Sequence, residues 1–76
     1  MRELVEFLAR SLAEDPDAVE VTEHDTDGDV VIEITAAEED LGRLIGRGGR
    51  VAAALRTVAR AAATREQRRV TLEILD

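Results

Sequence analysis

Three glycines stand within four residues, at Gly46, Gly48 and Gly49, and they interrupt what is otherwise one long helix-forming stretch. Glycine costs about 1 kcal/mol relative to alanine in a helix interior, so a helix does not run through such a cluster. The stretch must fold as two helices joined by a tight bend. On the incoming side, Leu41, Leu44 and Ile45 share one face of a short helix that ends at Gly46. On the outgoing side a longer helix is expected over residues 50–64, with Val51, Leu55, Val58 and Ala62 as its buried stripe. Thr35-Ala36-Ala37-Glu38 has the spacing of a capping box ahead of the short helix, and Glu38, Glu39 and Asp40 suit the positive end of its dipole.

The remainder of the chain supplies one further helix and three strands. Leu4, Val5, Leu8, Ala9 and Leu12 recur at helical spacing and predict an amphipathic helix over residues 1–13, stopped by Asp15-Pro16-Asp17. Val19 and Val21 alternate with polar residues in a short, half-exposed strand. Residues 25–29 have turn chemistry, and residues 30–35 are a strong strand signal, so the two strands form an antiparallel hairpin. Val70, Leu72 and Ile74 mark a closing strand. Because it follows a helical crossover, it lies parallel to the second strand through a right-handed connection. The expected architecture is α+β in the order α-β-β-α-α-β, a three-stranded mixed sheet with helices packed on one face, in a single domain over residues 1–76.

Composition narrows what such a domain does. With 76 residues and no cysteine, the chain buries only about 60% of its unfolded surface and must hold itself by its core alone. Phe7 is the one aromatic residue, which nearly excludes recognition by stacking bases on aromatic platforms. All ten basic residues are arginine, so a lysine-dependent phosphate loop of the Walker type is excluded. His24 is the only histidine and Ser11 the only serine, which leaves no nucleophile, base and orienter to assemble, and no enzyme activity is expected. Residues 25–29 lack the twelve-residue spacing of a calcium loop, and neither metal nor cofactor is expected. No apolar run approaches a membrane span and no signal peptide opens the chain, so a cytoplasmic protein is expected.

The net charge of −7 disguises a division along the chain. Residues 1–41 carry 14 acids against two arginines, a net of −12, whereas residues 42–76 carry eight arginines against three acids, a net of +5. Local field rather than total charge steers a polyanion, so the second half offers a basic face. Arg43, Arg47 and Arg50 bracket the glycine bend with forked, charge-assisted donors suited to phosphate oxygens. The new helix turns its free N–H groups and positive dipole end toward the same place, and glycine lets a phosphate come close. This combination reads as a backbone clamp for a phosphodiester. The competing reading is a plain helix–helix turn with solvated arginines. A dinucleotide fingerprint is the poorer rival, since Val51 stands where its last glycine belongs and the loop follows a helix rather than a strand.

The run Leu44-Ile45-Gly46-Arg47-Gly48-Gly49-Arg50-Val51 resembles the IGxxG core of KH domains, and the element order matches their type II arrangement. Over essentially the whole chain, the acidic first helix, the Asp-Pro-Asp break, the approach to the loop and Leu55-Arg56-Thr57-Val58 resemble the small bacterial KH proteins of the KhpA (YlqC) family. That resemblance implies binding of single-stranded RNA, about four nucleotides per groove. It places Arg43, Leu44, Ile45, Gly46, Arg47, Gly48, Gly49 and Arg50 at the RNA, with Ile32 or Ile34 helping to floor the groove. Gly48 at the second variable position leaves Arg47 as the loop's one charged member. Arg56 and Arg60 either extend the phosphate track or form a solvated face, and Arg68 and Arg69 are read as turn residues. The resemblance also implies a homodimer, or a heterodimer with a KhpB-like KH protein, in post-transcriptional regulation. Val58 with Ala54 and Ala61 is the expected pairing surface. The alternative is a dimerisation module whose partner makes most of the RNA contact.

Overall fold

The computed structural model describes residues 1–75. At its centre lies β2 (Asp29–Thr35), whose Val30, Ile32 and Ile34 all point to one face and are fully buried. Strand β1 (Glu20–Thr26) pairs antiparallel with it, placing Val21 opposite Ile34, and β3 (Arg69–Ile74) pairs parallel, placing Leu72 opposite Ile32. The sheet order is β1-β2-β3, so the closing strand is an edge strand, as the crossover argument requires. The hairpin is longer than the turn chemistry indicated. Thr26 still pairs with Asp29, and the turn shrinks to Asp27 and Gly28, both at positive φ. A two-residue Asp-Gly turn matches the twist of paired strands, so polar residues are drawn into the ladder despite weak strand propensity.

Three helices cover one face of this sheet. They are α1 (Arg2–Leu12), α2 (Glu38–Ile45) and α3 (Arg50–Arg65). Val5 and Ala9 of α1, Leu44 of α2, and Leu55 and Ala59 of α3 meet Val21, Val30, Ile32, Ile34 and Leu72 in a single core. The opposite face is open and polar, with His24 Nε2 2.9 Å from Glu33 Oε1. This is the expected α+β architecture with helices on one side.

Two local expectations fail. The buried stripe of α3 is Ala52, Leu55, Ala59 and Ala63, while Val51 and Ala62 are half-buried and Val58 is exposed. The helix presents three alanines and Leu55 to the sheet, which leaves the valines to one flank. The capping box does not form. Thr35 is still the last residue of β2, paired with Glu20, and Ala37 occupies the N-cap without a side-chain bond.

Candidate functional site

The loop between α2 and α3 is a compact bend whose glycines differ in what they face. Helix α2 closes with the Gly46 N–H donating to Gly42 O at 2.8 Å, and the chain passes through a 3-10 turn, Arg47–Gly49, into α3. Gly46 lies at φ 77, ψ 171, a region that only glycine occupies readily. A Cβ there would stand 2.5 Å from Val51 Cγ2 and 2.8 Å from the Val51 nitrogen, so the first turn of α3 closes directly on this residue. Gly48 and Gly49 also have positive φ, at 62 and 77, but a Cβ on either would meet nothing within 4 Å. The bend is tight at its entrance and open above its exit.

Gly46 donates to Gly42 O and Gly49 to Gly46 O, and the Arg50 N–H donates to Arg47 O. No side chain caps α3, so the bend leads uncapped into the positive end of a 16-residue helix. The arrangement suits an anion beside that helix end.

The three flanking arginines do not act alike. Arg47 and Arg50 are exposed and have no carboxylate partner among the described residues. Arg43 is occupied: its Nη2 lies 2.8 Å from Glu14 Oε1 and its Nε 3.3 Å from Asp40 Oδ1. Asp40 lies in the first turn of α2, as expected, and is fully buried there. Its two carboxylate oxygens accept the backbone N–H groups of Glu14 and Asp15, each at 3.0 Å. Those hydrogen bonds, from Glu14 and then Asp15, hold its carboxyl below the ordinary 3.8, with the Arg43 charge adding and burial opposing. The cluster fastens α2 to the corner after α1 and thereby sets where the loop stands. No sequence signal marks Asp40, because its partners lie 25 and 26 residues away.

The apolar wall also differs from expectation. Leu44, Ile32 and Ile34 have no exposed surface, so they support the site from beneath and cannot floor a groove. The surface aliphatics are Ile45, 41% exposed, with Leu41 one turn before it on the same side of α2 and Leu75 just beyond β3. Leu41 and Leu75 line one depression with Thr35, Ala36 and Glu38. A second apolar groove lies between α1 and α3, lined by Leu8, Leu12, Val51, Ala54, Leu55 and Val58, and Arg50 sits at its loop end. No described helix is long and apolar enough to cross a membrane.

Comparison with known proteins shows the family. The chain is 47% identical over 75 residues, 99% of its own length and all of the relative's, to "RNA-binding protein KhpA" of Caldanaerobacter subterraneus subsp. tengcongensis. It is 47% identical over 76 residues, the full length of both chains, to the protein of that name from Halalkalibacterium halodurans. It is 41% identical over 76 residues, covering 96% of the relative, to the one from Aquifex aeolicus. No solved structure matches at comparable significance. A family model described as "KhpA/KhpB, KH domain", which is not an enzyme class, matches residues 2–74, and on that match and these identities the chain belongs to the KhpA/KhpB KH-domain family.

Proposed function

We propose that this protein binds single-stranded RNA in the cytoplasm, gripping the sugar-phosphate backbone on the bend at residues 46–49 and resting bases on the neighbouring aliphatic surface. One observation carries the reading. In a chain with 17 acids and ten arginines, the arginines beside the open half of the bend, Arg47 and Arg50, have no carboxylate partner among the described residues, next to two glycines where a Cβ would meet nothing within 4 Å and the uncapped start of α3. Exposed guanidiniums without a carboxylate partner are free to make charge-assisted hydrogen bonds to an external anion. The name carried by the relatives supports RNA as that anion. Gly48 and Gly49 admit the phosphate, Arg47 and Arg50 pair with it, and Ile45 and Leu41 take van der Waals contact from bases. Leu44 and Gly46 shape the bend from below, and Arg43 holds α2 in place.

Fluorescence anisotropy with short RNA pools tests this. Wild type binds with a log K against log salt slope of about −2 to −3, the value for three or four phosphate contacts on a single strand. The Arg47→Asp, Gly48→Asp double variant, with unchanged circular dichroism, loses binding. A folded double variant that binds as wild type does would remove the loop from the site.

A second reading, pairing with another copy or with a KhpB-like KH protein in post-transcriptional regulation, is favoured by the α1–α3 groove. Phe7 at 67% exposure and Leu4 continue it along α1, and Val58 and Ala54 lie within it. Such a strip is large for a chain with so little apolar surface to spare. Sedimentation of the same samples, run with and without RNA, reads the assembly state directly.

A further inference from the structure

The first turn of α3 belongs to the bend as much as to the helix. Of the three glycines in the bend, Gly46 alone has a neighbour where a Cβ would stand: Val51 Cγ2 at 2.5 Å, with Val51 Cβ and the Val51 nitrogen each at 2.8 Å. Two of those atoms belong to the valine side chain, so its shape helps decide how α3 meets the bend. The contact reaches the open half of the bend through the backbone. Gly46 O accepts the Gly49 N–H at 3.1 Å, and Gly49 stands at φ 77 as the N-cap of α3. Gly48, at φ 62, lies inside that closed turn. Moving Gly46 therefore moves the two glycines over which the proposed phosphate sits. Other grounds do not favour valine at 51. It forms helix less well than alanine, and Ala52, Ala53 and Ala54 follow it. It is only half-buried, packed at the edge of the core and lining the groove with Leu8, Leu12 and Leu55. What valine supplies is a branch at Cβ, which in a helix keeps one strongly preferred χ1 and so fixes where both γ carbons stand.

Resting on the RNA reading above, we infer that Val51 is a positioning residue for RNA. Its β-branch wedges Gly46 in place, and through the hydrogen bond from Gly49 to Gly46 it holds Gly48 and Gly49 in the open, left-handed conformation that admits a phosphate. Glycine has the widest conformational freedom of any residue, so a bend with three of them is the segment that most needs such a strut. The requirement is one of shape. Threonine also branches at Cβ and keeps the wedge. Alanine removes both γ atoms. Leucine carries a single γ carbon, which either vacates the place beside Gly46 or drives a δ methyl into it. A residue needed for apolar burial alone follows a different order, with leucine close to wild type and threonine behind it because of its hydroxyl.

The experiment measures anisotropy with a short single-stranded RNA pool, and thermal melts, for wild type, Val51→Thr, Val51→Leu and Val51→Ala. Titrations run well below the lowest melting temperature, and circular dichroism verifies that each protein is folded. Val51→Thr is expected to bind as wild type does, even where its melting temperature is lower. Val51→Leu and Val51→Ala are expected to lose about fivefold or more in affinity, the equivalent of ordering one further residue of backbone on binding. A Val51→Leu protein that binds as tightly as wild type overturns the positioning role and leaves loop binding standing. So does an affinity order that follows the melting temperatures, which would make Val51 a packing residue only. A wild type that does not bind, or a folded Arg47→Asp, Gly48→Asp variant that binds as wild type does, removes the bend from the site and this inference with it.

Discussion

The two ends of the glycine bend use the same residue types for opposite purposes. At the entrance, Gly46 is pressed against Val51 and Arg43 is held by Asp40 and Glu14, so glycine and arginine both serve the fold. At the exit, Gly48 faces open space and Arg47 and Arg50 have no carboxylates among the described residues, so the same two types stand open to solvent, where the proposed RNA contact lies. A motif written as glycines and arginines therefore mixes two kinds of residue. Contacts, and not identities, sort them. Each end then predicts a different consequence of substitution.

The largest effect belongs to Gly46→Ala. The backbone at φ 77, ψ 171 costs a side-chain-bearing residue about 1–3 kcal/mol. Forcing the new methyl against Val51 adds about 1–3 kcal/mol of overpacking. In a domain of this size each kcal/mol is worth about 4–8 °C, so the melting temperature is expected to fall by about 10 °C or more. Thermal denaturation followed by circular dichroism measures it. A fall of only a degree or two would mean that the entrance is as loosely built as the exit.

Asp40→Asn is expected to weaken the protein less, and in a pH-dependent way. The amide oxygen still accepts one of the two N–H groups of Glu14 and Asp15, but its NH2 opposes the other. Because the native carboxyl titrates below its ordinary 3.8, its contribution is complete above about pH 4 and fades as pH falls through the lowered native value. Urea denaturation over an acid series should show wild type losing stability more steeply than the variant below about pH 4. At neutral pH the exit keeps its open glycines and unpaired arginines, so the folded variant is expected to match wild type in the anisotropy assay. Parallel acid profiles for the two proteins would show that Asp40 is not the anchor.

The order of elements was legible because each rests on local periodicity or turn chemistry: alternation in β2, the Asp27-Gly28 turn, and glycines that no helix tolerates. What escaped was decided by partners distant in sequence. Nothing local distinguishes Asp40 from Glu38 and Glu39, yet it alone is buried. Arg43 reads like Arg47 until Glu14 is brought to it by the fold of α1. Alanine is apolar enough to satisfy either of two adjacent stripes on α3, and the fold buries the one made of Ala52, Leu55, Ala59 and Ala63. On α2, only Leu44 of the three aliphatics turns inward, so the residues nearest the loop on the surface are those that a hydrophobic tally assigns to the core.

The smallest effect on stability, and the sharpest separation of the two ends, comes from Gly48→Asn. Asparagine adopts φ 62, ψ 20 more readily than other side-chain-bearing residues, and its Cβ meets nothing within 4 Å, so the cost is expected to stay within about 1 kcal/mol. The side chain nevertheless projects into the open space above the bend, where the proposed phosphate would sit. Displacing it from one charge-assisted hydrogen bond loses about 1.5–3 kcal/mol, or roughly tenfold or more in affinity. Anisotropy and thermal melts on one preparation measure both quantities. A protein that keeps its melting temperature and its RNA affinity would show the open exit to be mere solvent-facing turn. One that keeps only the former would place the ligand over Gly48, with the fold held two residues earlier at Gly46.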